Sequence, residues 1–341
     1  MAKLPDTSDS DVHADAGPPP KPFSLPGRPR LLVSACLLGE QVRYDGGHKR
    51  DPFLVDNVGR FVEWERVCPE ADCGLGIPRP SMHLVGDPAR PRLVASKTGA
   101  DQTERMERFA RQHVRQLEEA DLCGYVCKKG SPSSGMERVR VYDEGGAPPR
   151  RIGTGIFTRV LMERFSDIPV EEEGRLHDPF LREHFIERVF AMRRWKDLVA
   201  SGRSRGRLVE FHADHKYQLL SHSRPRYEEL GRLVARAKEL RTSELYDVYR
   251  GLFMVSMAQQ PTAKKRTDVL MHMMGYFKRD LDADEKQELL ELVRDYHRGM
   301  VPLIVPLTLV KHYTRKFRVA YLERQSFLSP YPAELMLRNH V

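Results

Sequence analysis

Within the first 127 residues three short segments suited to β-strands each end on, or one residue before, a cysteine, and this recurrence restricts the fold more than any other feature. Leu31-Leu-Val-Ser-Ala35 is apolar enough for a buried parallel strand, and Cys36 follows it. Phe61-Val-Glu-Trp-Glu-Arg-Val67 alternates like a half-exposed strand, and Cys68 comes next. Leu122 to Cys127 is the third candidate, after Met106, Phe109, Val114 and Leu117 at helical spacing within 100–120. Strands separated by a helix predict an α/β domain on an open, mostly parallel sheet, which gathers ligands outside the carboxyl ends of its strands. Cys36, Cys68 and Cys127 are therefore expected along one sheet edge.

The character of the chain changes further on. Gly153 to Arg164 and Asp178 to Val199 read as helices, the second opened by Asp178 as cap and Pro179 in the first turn. Ser201-Gly-Arg-Ser-Arg-Gly206 reads as a linker. After it come only helical patterns, near 224–239, 242–259, 262–280 and 284–298, predicting an all-α second domain. Val301-Pro-Leu-Ile-Val-Pro-Leu-Thr-Leu-Val310 is apolar but short and twice interrupted by proline, so it is expected as a buried connection entering a last helix.

A length of 341 residues favours two domains over one core. Met1 to Arg30 holds several prolines and little to bury, and 1–28 is expected to be a disordered tail. It has no apolar signal segment, and no later stretch reaches the roughly 18 continuous apolar residues a membrane span requires. The expected location is cytoplasmic, with no membrane partner. Formal charge is +8, with 23 basic against 17 acidic residues after residue 206, a mild bias toward an anionic partner.

All five cysteines precede residue 128, and an odd number without a secretion signal argues against a disulfide framework. None of their spacings pairs ligands in the way zinc requires. Single thiols on separate loops with glycines nearby suit an iron–sulfur cluster better, and three such ligands leave one iron open as a Lewis acid. Cys123 reads as core packing.

The surrounding motifs carry a resemblance. Ser34-Ala-Cys-Leu-Leu-Gly39 with Val42-Arg-Tyr-Asp-Gly-Gly47, Cys68-Pro-Glu70 with Gly76-Ile-Pro-Arg79, and Ser131-Pro-Ser-Ser-Gly135 resemble the TudS-type thiouracil desulfidase family. Phe211-His-Ala-Asp-His-Lys216, His272-Met-Met-Gly-Tyr-Phe-Lys278, Pro302-Leu-Ile-Val-Pro-Leu-Thr-Leu309 and Pro330-Tyr-Pro-Ala-Glu-Leu335 resemble the YbgA-type domain. The resemblance implies a desulfidase domain over 29–170, a helical connector over 171–206 and a YbgA-like domain over 207–341. The fused arrangement is similar to the family implicated in desulfurating 4-thiouridine in tRNA. What it implies is a C=S hydrolase releasing sulfide without net redox change, with a 4Fe-4S cluster as cofactor and tRNA, not DNA, as partner. By motif, Cys36 and Cys68 are cluster ligands, Glu70 is the acid/base and Ser131 a hydrogen-bonding or relay hydroxyl. The family has a cysteine where this chain has Ser134. Cys127 or Cys73 then supplies the missing sulfur, with Cys127 taken as third ligand; otherwise Ser134 binds as alkoxide, or the cluster is lost. Loss would leave an RNA-binding or regulatory pseudoenzyme, and free thiouracil-like bases are the other substrate class.

Several further residues invite a reading. His48, Lys128 and Lys129 suit anion contact or a solvated loop, and Asp45 shapes the turn before Gly46. His212 and His215 have metal-like spacing without a completing ligand, so a structural role is expected. Lys264-Lys-Arg266, Arg315, Lys316 and Arg318 are interleaved with Tyr276, Phe277, Tyr313 and Phe317. That pattern suits phosphate contact with base stacking, and equally an ordinary amphipathic bundle.

Overall fold

A computed structural model describes residues 26–341 of the protein. The greater part of the expected disordered tail, residues 1–25, lies outside the described residues. Just inside them Gly27 donates to Asp197 and Arg28 donates to the Val62 carbonyl at 2.9 Å, fastening the chain as it enters the first strand.

Strands β1 (Arg30–Ser34), β2 (Glu63–Val67), β5 (Leu122–Cys127) and β8 (Val170–Glu172) form a four-stranded sheet in the order β2-β1-β5-β8. Every pairing in it is parallel. All six residues of β5 are buried, as expected of an inner parallel strand covered on both faces. On one face Gly124 meets Val189 of helix α3 (Pro179–Ala200); on the other Tyr125 meets Phe157 of α2 (Ile156–Arg164) edge-on at 6.2 Å, beside α1 (Thr103–Gln116).

A second sheet was not legible in the sequence. It comprises β3 (Met82–Val85), β4 (Arg92–Ala95), β6 (Val139–Tyr142) and β7 (Arg150–Gly153), in the order β4-β3-β6-β7. Its strands are four residues long and rich in arginine, too short and too polar on one face to stand out. Leu84, Leu93, Val139 and Val141 point inward onto Met106 and Ile156 in a small separate core. Gly153 therefore ends β7, and the helix expected from that residue starts at Ile156.

The helical half contains α4 (Arg205–Asp214), α5 (Lys216–His222), α6 (Arg224–Ala235), α7 (Thr242–Met257), α8 (Ala263–Met274), α9 (Ala283–His297), α10 (Ile304–Lys316) and α11 (Ala320–Glu323). Asp282 and Glu285 close a reciprocal capping box on α9. The apolar run after Met300 becomes helical earlier than expected. Pro306 sits in the first turn of α10, where a missing N–H breaks no intrahelical bond.

Helix α3 joins the halves. Its Phe185, Ile186, Val189 and Trp195 belong to the same apolar core as Leu31, Tyr125 and Val126, and so do Phe211, Tyr249 and Phe253 of the helical half. Trp195 stacks on Tyr249 at 5.6 Å. A buried charge cluster reinforces this join: Arg266 of α8 donates two hydrogen bonds (3.0 and 2.8 Å) to Glu183 of α3, which also accepts from Tyr331 and Arg338 at 3.1 Å. No helix among the described residues is long and apolar enough to cross a membrane.

Candidate active site

The parallel register aligns Ser34 at the end of β1 with Val67 at the end of β2, so the residues following each strand emerge side by side. Cys36 lies in a 3-10 turn after β1, and its carbonyl accepts from Lys49 N at 2.9 Å, folding the loop of residues 39–49 back over the strand end. Cys68 follows β2 directly. Both thiols line one cavity of about 350 Å3, together with Glu70, Arg79, Lys128 and the loop from Ser131 to Ser134.

That loop is set by helix α2. The first backbone N–H groups of a helix have no partner within it, and here they are satisfied by the loop's carbonyls. Ile156 N donates to Pro132 O at 3.2 Å, Phe157 N to Ser133 O at 3.0 Å, and Thr158 Oγ1 to Ser134 O at 2.6 Å. With its carbonyls tied behind, the loop turns its hydroxyls toward the cavity. The approach requires glycine at 155, because a Cβ there would stand 2.5 Å from the Ser133 carbonyl carbon.

The hydroxyls form a chain ending on a carboxylate. Ser133 Oγ donates to Glu70 Oε1 at 2.9 Å, and lies 3.0 Å from Ser131 Oγ and 3.4 Å from Ser134 Oγ. Ser131 Oγ also accepts from Ser134 N at 3.2 Å. The other Glu70 oxygen is gripped by Arg79 through Nε at 2.9 Å and Nη2 at 2.8 Å, with the guanidinium side chain only 4% exposed. Arg79 Nη2 further donates to the Val42 carbonyl at 3.1 Å and points at Cys68 Sγ at 3.9 Å. One guanidinium therefore orients the carboxylate and favours thiolate at Cys68. Burial pushes the Cys36 thiol up to about 11, aided by the neighbouring Cys68, against Arg43 and Lys128. Burial also raises Cys68.

The structure thus brings together Cys36, Cys68, Glu70 and Ser131, and places Ser134 with them. It does not bring Cys127 there. Cys127 is wholly buried as the last residue of β5, donates its Sγ hydrogen toward Glu171 O at 3.5 Å, and is raised well above the usual thiol range by burial and by the carboxylates of Glu172, Glu173 and Glu171. A strand's final residue is still held by its neighbour, here through pairing with Glu172. Cys73 also points away: its Sγ hydrogen goes to Glu70 O at 3.3 Å, and it packs on the small core beneath the second sheet. Cys123 is buried, as expected. Among the described residues no three His, Cys, Asp or Glu side chains gather as a metal site. The cavity's donors are two sulfurs, the hydroxyls of Ser131, Ser133 and Ser134, and the carboxylate of Glu70.

Two residues of the site escaped the sequence reading. Ser133, not Ser131, touches Glu70, and Arg79 holds that carboxylate from nine residues away. The Gly-Ile-Pro-Arg motif was the one signal pointing to Arg79.

The other candidates resolve as structure. His48 Nδ1 accepts from Arg50 N at 3.2 Å within its own loop, and Asp45 accepts from Gly47 N at 3.0 Å. His212 stacks on Tyr227 at 5.2 Å and bonds Tyr249 Oη; His215 stacks on Phe211 at 3.9 Å. Burial lowers both imidazoles, to about 4 and about 3. In the helical half Arg266 is buried in its ion pairs, Lys265 donates to the carbonyls of His222 and Gln260, and Lys316 pairs with Glu285. Phe277 and Tyr313 are core residues.

Comparison with known proteins follows the same division. Residues 31–173 match a family described as 2-thiouracil desulfurase, and residues 216–332 match one described as a protein of unknown function, DUF1722. The chain is 34% identical to the uncharacterized protein YbgA of Escherichia coli (strain K12), over 45% of this chain and 90% of that one. It is 24% identical to the uncharacterized protein YbbK of Bacillus subtilis (strain 168), over 43% of this chain and 98% of that one. A solved structure of a 4Fe-4S-dependent thiouracil desulfidase, TudS, is 31% identical and matches 44% of this chain and 95% of its own length, with a TM-score of 0.37.

Proposed function

We propose, from the premise that this chain belongs to the family joining a TudS-like thiouracil desulfidase domain to a YbgA-type domain, that it hydrolyses the thiocarbonyl of 4-thiouridine in tRNA. The observation that carries this reading is the hydrogen-bonded line from Glu70 through Ser133 to Ser131, opening on the cavity that Cys36 and Cys68 share.

The cavity's donors fit an iron–sulfur cluster through two sulfurs and one oxygen, so Cys36, Cys68 and Ser134 would hold it. When bound, a 4Fe-4S cluster supplies a Lewis-acidic iron for the thiocarbonyl sulfur. The protein's own groups do the rest. Glu70, fixed by Arg79, takes a proton from the attacking water, and Ser133 passes protons between the carboxylate and the other hydroxyls. Water oxygen bonds to the ring carbon, the carbon–sulfur bond breaks, and sulfide leaves with the transferred protons, so no electron acceptor is needed. Arg43 and Lys128 are paired with Asp45 and Glu173, so Lys49, which has no carboxylate within 4.0 Å among the described residues, is a lining cation that favours an anionic nucleotide.

Anaerobically purified protein should release sulfide from 4-thiouridine-containing tRNA with loss of thiocarbonyl absorbance. Glu70→Gln should slow this by about 10²–10⁴-fold. Release only from free thiouracils would move the substrate to the free-base class, and none from either, with iron bound, would sink the reading. Ser134 favours a second one, a cluster-less RNA-binding protein. Iron absent even after anaerobic reconstitution would select it.

A further inference from the structure

The second sheet leaves one face uncovered. Val139 and Val141 of β6 are buried while Arg140 and Tyr142 between and beyond them are exposed. This is the alternation of an inner strand with one buried and one wet face, parallel to β3 and antiparallel to β7. Arg140 stands directly opposite Arg151 across the β6–β7 pair. Like charges in that position destabilise a sheet unless something anionic lies over them. Neither guanidinium has a carboxylate within 4.0 Å among the described residues, and neither do Arg138 or the side chain of Lys129. Arg138 also adopts φ of 55° at the entry to β6, a left-handed backbone that costs an arginine about 1 kcal/mol.

These groups line a groove of about 580 Å3. Five cations face it, Lys129, Arg138, Arg140, Arg151 and Arg175, against two carboxylates, Glu137 and Glu172. Arg175 already neutralises Glu137 at 2.9 Å, and burial raises Glu172 above the usual carboxylate range. Two rings offer flat surfaces there: Tyr142, 36% exposed, meets His83 edge-on at 4.8 Å. Met82, Lys129, Gly130 and Pro132 line both this groove and the cavity of Cys36 and Cys68. The groove and the cavity therefore share a wall.

The geometry points to this groove as the RNA-binding surface, holding the phosphodiester backbone beside the thiolated base, with Tyr142 and His83 available to an adjacent unstacked base. The inference rests on the desulfidase reading for the occupant of the cavity. It also moves the main RNA contact to the catalytic half from the helical half, where Lys265, Arg266 and Lys316 of the basic–aromatic pattern are held by carbonyls and carboxylates.

The test measures binding of a short, unthiolated RNA stem-loop to the full chain by fluorescence anisotropy across a salt series. The triple variant R138Q/R140Q/R151Q should bind about tenfold or more weakly, and the slope of log affinity against log salt should fall by about 2, from three lost phosphate contacts at ~0.7 each. Its thermal midpoint should equal or exceed the parent's, because the opposed Arg140–Arg151 pair is gone. A companion variant, K264Q/R315Q/R318Q, should bind like the parent. The inference is overturned if the sheet variant binds normally, if only the helical variant loses affinity, or if the parent prefers uridine monophosphate to the stem-loop. Since the RNA carries no sulfur, these results are independent of sulfide release; an inactive protein that still binds through the groove would sink the desulfidase reading alone.

Discussion

Ser134 is 4% exposed, lies on the cavity with Cys36 and Cys68, and holds its backbone N–H against Ser131 Oγ. Its hydroxyl must shed a far more tightly held proton than a thiol before it can bind iron. Ser134→Cys should therefore slow loss of iron to a chelator by about tenfold or more, read as iron and acid-labile sulfide per chain. Equal loss from both proteins would show that this position does not face the cluster. At this scale Cys36 and Cys68 were legible because each comes within two residues of a strand end, and Glu70 because it belongs to the Cys-Pro-Glu motif. Cys127 misled the same logic: it ends its strand inside the hydrogen-bonded ladder rather than beyond it, and one residue of offset decides between cavity and core. Ser133 was hidden for a different reason. Three nearby hydroxyls in one loop look alike until the carbonyls behind them are assigned.

Helix α2 determines that assignment, because its start consumes the carbonyls of Pro132, Ser133 and Ser134. Gly155→Ala places a methyl 2.5–2.6 Å from Ser133 and Ser134 backbone atoms, none of which can rotate away. The expected cost is about 1–3 kcal/mol, measured by urea unfolding, with sulfide release falling as the serine loop shifts. Unchanged stability and activity would mean that the loop and helix separate without consequence. The long elements were readable: α3 begins at the expected Asp178 cap and Pro179, and helices α6 to α9 fall on the periodic segments. The second sheet was not, since period-two alternation over four residues with arginine on the open face resembles an ordinary polar loop.

Across the whole molecule, buried imidazoles set a limit on acid tolerance. His212 and His215 are lowered from the ordinary 6.5 to about 4 and about 3, chiefly by burial. Below pH 6.5 the unfolded chain binds protons that the folded chain refuses, so stability is full above that value and declines as pH falls toward the folded values. At about 1.4 kcal/mol per pH unit for each histidine, lowering pH from 6.5 to 5 should remove roughly 3 kcal/mol, visible as a lower urea midpoint. A flat profile would show that these rings reach solvent.

Helix α3 contributes residues at once to the parallel sheet and to the ring of Trp195, Phe211 and Tyr249. A helix with apolar neighbours on both sides cannot be assigned to either half without stripping the other. Heating should consequently produce a single calorimetric peak, and a protease cut in the Ser201–Ser204 turn should yield two fragments that travel together. Any lineage that sheds one half must first find a new cover for that helix.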